Sequence, residues 1–128
     1  KKISKREILE MQKKKTGMLF QFCCLVPVIL SKKKSYFRKF SNLGLQVGLL
    51  FQIIDDIIDF KGNSKIEGKK TKKDQKKGKA TLISLLGYEN TVNYSNKLKK
   101  NIFKQINSFH SKANDFKETI NFVLSRGK

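Results

Sequence analysis

Proline, arginine, cysteine and histidine are all scarce in this chain, and each shortage closes off a class of fold or function. A single proline, Pro27, interrupts 128 residues, so helices can run long without a breaker. The two cysteines, Cys23 and Cys24, are adjacent, and the one histidine, His110, lies far along the chain. Residues so placed cannot assemble a tetrahedral metal site. Vicinal cysteines close only a strained ring, so both are expected as reduced core residues of a cytoplasmic protein. Arg6, Arg38 and Arg126 are the only arginines. With no zinc-ligand spacing, no glycine-rich RNA-binding signature and no aromatics interleaved with arginine, nucleic acid is not an expected partner. The longest apolar stretch, Gly17 to Leu30, contains Gln21 and Pro27 and is too short to cross a bilayer. It reads as a buried helix, and stable membrane insertion is not expected.

What is abundant is lysine. The formal net charge is +19, from 29 Lys plus Arg against 10 Asp plus Glu, a balance that favours anionic partners such as diphosphates, nucleic acid or acidic lipid. Lysine, asparagine, isoleucine and phenylalanine are abundant together, which an AT-rich coding sequence produces without selection for binding. A basic background and a functional basic patch both remain open on charge alone. The length fits one domain, or part of one, with a modest core. The chain opens at Lys1 without an initiator methionine or secretory leader, which raises the expectation of sequence upstream.

Apolar residues recur at three and four with no alternation, so the chain is expected to be all-α. Ser4 to Leu30 reads as a first helix, with Ser4 as N-cap and Glu7 three residues on, a capping-box pattern. Ser31 to Ser35 is a turn. From Tyr36 to Phe60, the positions Phe37, Phe40, Gly44, Val47, Phe51, Ile54 and Ile58 make a continuous stripe that must face other helices. Gly44 and Gly48 lie four apart and would let a neighbour approach closely, at some cost in helix propensity. Lys61 to Lys79, with Gly62, Gly68, Gly78 and nine lysines, reads as a mobile loop. Thr81 to Tyr88, Glu89 to Phe109 and Ser111 to Leu124 read as further helical segments.

The chemistry concentrates in Phe51-Gln52-Ile53-Ile54-Asp55-Asp56-Ile57-Ile58-Asp59. Three of the five aspartates sit here, and on a helix Gln52, Asp55, Asp56 and Asp59 span roughly a quarter to a third of the circumference. Carboxylates this close repel one another unless they are protonated, solvated or bridged by a divalent cation. Mg2+ takes oxygen ligands and keeps waters, so a few carboxylates plus phosphate oxygens suit it. An ordinary solvated acidic face is the competing reading.

The surroundings make the pattern specific. K-T-G-x-L-F from Lys15, then G-L-x-F-Q-I-x-D-D-I-x-D from Gly48, then G-K-x-x-x-x-D-x-x-x-G-K-x-T from Gly68, with L-L-G-x-E at Leu85, occur in that order. The ordered set, covering about Ser4 to Arg126, resembles the C-terminal half of trans-prenyl diphosphate synthases of the farnesyl and geranylgeranyl type. The resemblance implies an all-α fold, the C-terminal portion of the isoprenoid synthase helical bundle. It implies that Asp55, Asp56 and Asp59 hold Mg2+ bridging to an allylic diphosphate, making the diphosphate a competent leaving group. Lys15 and Lys69 match lysines that contact the same diphosphate. Thr16 and Gln52 match positions whose oxygens face the developing allylic cation. Asp74 and Lys79 match a loop that closes over the diphosphate and excludes water, and Arg126 is placed to help seal that mouth. Phe51, on the apolar stripe, is assigned to the core rather than the site. The implied reaction ionises an allylic diphosphate, joins it to isopentenyl diphosphate through a new carbon-carbon bond, and loses a proton. No protein nucleophile is required.

Family members are about twice this length, and the first aspartate-rich motif and the Gly-Lys-Arg residues that bind isopentenyl diphosphate have no counterpart in Lys1 to Lys128. Leu82-Ile83 stands where many relatives have Tyr-Pro. The expectation is a partial polyprenyl synthetase domain lacking its N-terminal half, inactive alone and homodimeric when full length. Two other classes remain: a non-catalytic diphosphate-binding remnant or subunit, and a basic helical module for nucleic acid or acidic membrane. A geranylgeranyl or longer-chain synthase is the alternative within the first class.

Overall fold

The structure, a computed structural model, describes residues 4–67 and 81–125. The first helix, α1 (Lys5–Gln12), begins where the capping pattern asks it to. Ser4 Oγ accepts from the Glu7 N–H at 3.3 Å, and Glu7 Oε2 accepts from the Ser4 N–H at 2.8 Å. The backbone bond from Ser4, followed by its hydroxyl, holds the Glu7 carboxyl below its ordinary range. The face of α1 turned inward carries Ile8 and Gln12, four apart.

The run from Lys5 to Leu30 is helical throughout, but it is not the uniform helix expected. A π turn at Lys13–Gly17 separates α1 from α2 (Met18–Leu30). Nor is Gly17 to Leu30 buried: of α2 only Val28 is, while Phe22 is 64% and Leu30 76% exposed. The physical reason is that α2 packs on one long neighbour, so only one stripe is covered. The expectation that the cysteines lie in the core fails with it, since Cys23 is exposed and Cys24 half-buried; both are free thiols. Burial pushes the Cys24 thiol up, with a smaller push from Cys23.

That neighbour is α3 (Phe37–Glu67), reached through a turn and a short 3-10 segment at Lys34–Tyr36. Helix α3 continues past Phe60 to Glu67, where a loop was expected to have begun. Extending a helix that already exists costs far less than nucleating one, so Lys61 and Gly62 are carried along. The rest of the expected loop, including Lys69, Asp74 and Lys79, lies outside the described residues, as does Arg126. The burial on α3 is also rotated from the expected stripe. Leu43, Leu50 and Ile53 are its most buried side chains, while Phe37 is 47% exposed. A helix with α2 on one side and α5 and α6 on another buries an arc wider than a single stripe of threes and fours.

Helix α4 (Leu82–Leu86) has its own box, Thr81 with Ser84, and ends at Gly87, whose φ of +80° needs glycine. Helix α5 (Tyr88–Ile106) buries Thr91, Ser95, Leu98, Ile102 and Ile106, a register of threes and fours. The two buried hydroxyls donate to backbone carbonyls of Gly87 and Val92, which satisfies them locally. His110, at φ 52°, breaks the following 3-10 segment before α6 (Asn114–Ser125). That break falls between the two helical segments expected on either side of residue 110. The described residues are all-α, and no helix among them is long and apolar enough to cross a membrane.

The close approach of α2 to α3 is set by glycine. A Cβ at Gly44 would lie 2.5 Å from Gln21 Cα, and one at Gly48 2.6 Å from Gly17 Cα. Gly62, on the same helix, would meet nothing within 4 Å. Opposite signs are therefore expected from one substitution. Gly44→Ala should lose about 1–3 kcal/mol in urea unfolding, because backbone must move. Gly62→Ala should gain roughly 0.5–1 kcal/mol from helix propensity. Equal effects at the two positions would contradict the packing described.

Candidate functional site

Two turns of the first helical run face two turns of α3. Gln12 and Thr16 are four apart on the first, and Gln52 and Asp56 are four apart on the second, so each pair shares a helix face. Gln12 Nε2 donates to Asp56 Oδ2 at 2.8 Å, and Thr16 Oγ1 donates to Gln52 Oε1 at 3.0 Å. Gln52 Nε2 then donates to Asp56 Oδ1 at 3.2 Å, joining the two rungs. The π turn begins directly after Gln12 and carries Lys15 and Thr16. Such turns widen a helix at a cost and recur at functional sites. Gly17 closes the π turn against Gly48, which brings the Thr16 hydroxyl to Gln52.

Asp56 is the electrostatic centre. Burial raises its carboxyl above the ordinary range; the Gln52 hydrogen bond and the charge of Lys15 pull the other way, and Asp59 and Asp55 push it further up. Lys15, itself exposed, therefore lies within electrostatic reach of Asp56. Asp55 is half-buried and Asp59 exposed. Among the described residues no three His, Cys, Asp or Glu side chains stand close enough to hold an ion together. The acids thus form no closed cage. An open row of carboxylates still fits Mg2+, which prefers one or two carboxylates and completes its shell with phosphate oxygens and water.

Beside this polar ladder lies an apolar cavity of about 580 Å³ between α2, α3 and α6, lined by Phe20, Cys24, Leu50, Phe51, Phe116 and Ile120 among others. Phe51 is half-buried, meets the Phe20 ring in a tilted contact at 5.4 Å between centroids and lines this cavity. It was expected in the core rather than the site, and it lines the cavity next in sequence to Gln52. Sequence reasoning missed Gln12 altogether. Its one signal was register, since Gln12 follows Ile8 by four and so falls on the buried face of α1.

A family model described as Polyprenyl synthetase matches residues 1–122. The chain belongs to the polyprenyl synthetase family. It is 37% identical over 91 residues to a geranylgeranyl pyrophosphate synthase of Geoglobus acetivorans, an alignment covering 70% of this chain and 28% of that protein. It is 28% identical over 115 residues to a farnesyl diphosphate synthase of Micrococcus luteus, covering 89% and 40% respectively. The crystal structure of a geranyltransferase from Helicobacter pylori superposes with a TM-score of 0.72 at 23% identity, over 97% of this chain and 39% of that one. The fold is therefore the isoprenoid synthase helical bundle. The chain spans two fifths or less of the length of these relatives.

The sign of the Asp56 shift makes a prediction about stability. A carboxyl whose folded pKa is raised binds its proton more tightly in the folded state, so folding is favoured at pH values below the raised pKa and loses ground as pH rises through it. Asp56→Asn should remove that loss. Its melting temperature at pH 7 should exceed that of the unsubstituted chain by a few degrees, and the difference should shrink on acidification to pH 4. A difference between the two chains that stays the same from pH 7 to pH 4 would contradict the shift.

Proposed function

We propose that this chain carries the second aspartate-rich, allylic-diphosphate-binding portion of a Mg2+-dependent prenyltransferase, acting with isopentenyl diphosphate in isoprenoid synthesis. The observation that carries the reading is the ladder linking Thr16 and Gln12 to Gln52 and Asp56 across 36 and 44 residues of sequence, beside an apolar cavity. A diphosphate ester with a hydrocarbon tail needs both surroundings within one molecule's length. Farnesyl and geranylgeranyl synthases appear among the relatives, which supports the substrate class and leaves product length open between them.

In this reading Asp55, Asp56 and Asp59 offer carboxylate oxygens to magnesium, and Lys15 approaches the same diphosphate as a compact point charge. Mg2+ held by these carboxylates would supply the charge neutralisation that makes diphosphate a leaving group. Gln52 is oriented by the Thr16 hydroxyl and by Asp56, so its amide dipole is fixed before substrate arrives, the arrangement that stabilises developing charge most effectively. Phe20 and Phe51 wall the apolar side, where an allylic tail would be held away from water. Lys69 and Lys79 are proposed as further diphosphate contacts on the family pattern. Turnover is proposed to require the remaining part of the bundle, with its first aspartate-rich motif.

Titration of the 128-residue chain with inorganic diphosphate, with and without Mg2+, tests the reading. Binding should contain a magnesium-dependent component that falls by about tenfold or more in Asp55→Ala. Binding that needs no magnesium, survives that substitution and weakens steeply with salt would show a generic basic surface instead.

A further inference from the structure

Gln12 stands apart from every other polar residue of α1. It is 3% exposed, its Nε2 donates to Asp56 Oδ2 at 2.8 Å, and its Oε1 is buried with no hydrogen-bond partner. An orphaned buried acceptor is destabilising, and an apolar side chain of similar shape would remove the penalty. A residue kept for packing would not be a glutamine. The amide is oriented by what faces it: with its oxygen toward Asp56 it would set acceptor against acceptor, so the carboxylate selects the N–H.

We propose that Gln12 is a positioning residue that sets the Asp56 carboxylate for a magnesium-bound diphosphate, and this rests on the reading of Asp56 as a ligand given above. Gln12 and Gln52 donate to opposite oxygens of Asp56, Oδ2 and Oδ1. Held at both ends, the carboxylate cannot rotate about its terminal torsion, which is otherwise broad. Each oxygen can accept more than one bond, so each retains a lone-pair direction for a cation. Outer partners of this kind orient the groups that touch a metal. Gln52 sits on the same helix as Asp56 and moves with it, whereas Gln12 belongs to the run that carries Lys15 and Thr16. The Gln12 bond therefore fixes the carboxylate relative to the lysine as well as relative to its own helix.

Gln12→Met and Gln12→Leu keep the apolar volume and remove both the donor and the orphaned acceptor. The expected result is a loss of about tenfold in the magnesium dependence of diphosphate binding to the 128-residue chain, with a melting temperature within about 4 °C of the unsubstituted chain or above it. Inorganic diphosphate and MgCl2 are the probes, and Asp55→Ala is the companion variant. If Asp55→Ala loses the magnesium-dependent component while both Gln12 variants keep it, the positioning role is overturned and the ligand reading stands. If the unsubstituted chain has no such component, the ligand reading falls and this inference falls with it. Lost affinity accompanied by a large drop in melting temperature in both variants makes Gln12 a structural residue only and also overturns the proposal.

Discussion

Backbone contact between the first helical run and α3 fixes the separation on which the ladder depends. Gly44 lies against Gln21, and Gly48 against Gly17, with no room for a methyl group at either. Side chains as short as threonine can reach across only when the helix axes are this close, and Thr16 does reach Gln52 at 3.0 Å. Larger residues at the glycine positions would move α2 outward and carry the π turn with it. Lys15 and Thr16 would then leave the acids. The cost of the arrangement is local, since glycine inside a helix forfeits roughly 1 kcal/mol of propensity relative to alanine.

Once the two runs are that close, electrostatics follow from burial. Asp56 is half-buried against Gln12 and Gln52, and desolvation outweighs the hydrogen bond from Gln52 and the charge of Lys15. A half-buried carboxylate with acidic neighbours on its own helix is a poor stability element and a good partner for a cation. The net charge of +19 adds a field that draws anions toward the chain, but it discriminates little among them. In the function proposed, selectivity for a diphosphate with an apolar tail would rest on the ladder and the neighbouring cavity together.

Much of this was readable from sequence because it depends on local chemistry. Ser4 with Glu7 gave the start of α1, the four-residue spacing of Gly44 and Gly48 gave the close approach, and Gln52, Asp55, Asp56 and Asp59 gave the acidic face. What was not readable depends on partners. Helical period says that α2 has an apolar face and cannot say how many neighbours will cover it, so Phe22 and Leu30 were expected inside. Burial on α3 follows α2, α5 and α6 at once, which no single stripe can encode. The π turn has no composition of its own, since Lys13-Lys14-Lys15-Thr16-Gly17 serves an ordinary α-helix equally well. Gln12 was invisible for a related reason: one glutamine in the register of Ile8 looks like a solvated polar residue until α3 is set beside it.

Four departures from local rules meet where the first helical run crosses α3. Glycine occupies a helix interior at Gly48, the helix widens at Lys13–Gly17, Asp56 carries a desolvated carboxyl, and Gln12 buries an unpaired oxygen. Each departure is unfavourable taken singly, in contrast to the two capping boxes and the α5 hydroxyls, which are satisfied locally. A junction that gathers a widened turn, a desolvated carboxyl and an orphaned amide oxygen gives up stability for geometry. Binding a charged ligand is what would relieve those costs together. Cations offset a crowded carboxylate row, while a widened turn and a pre-oriented amide supply geometry that an unstrained helix pair does not offer.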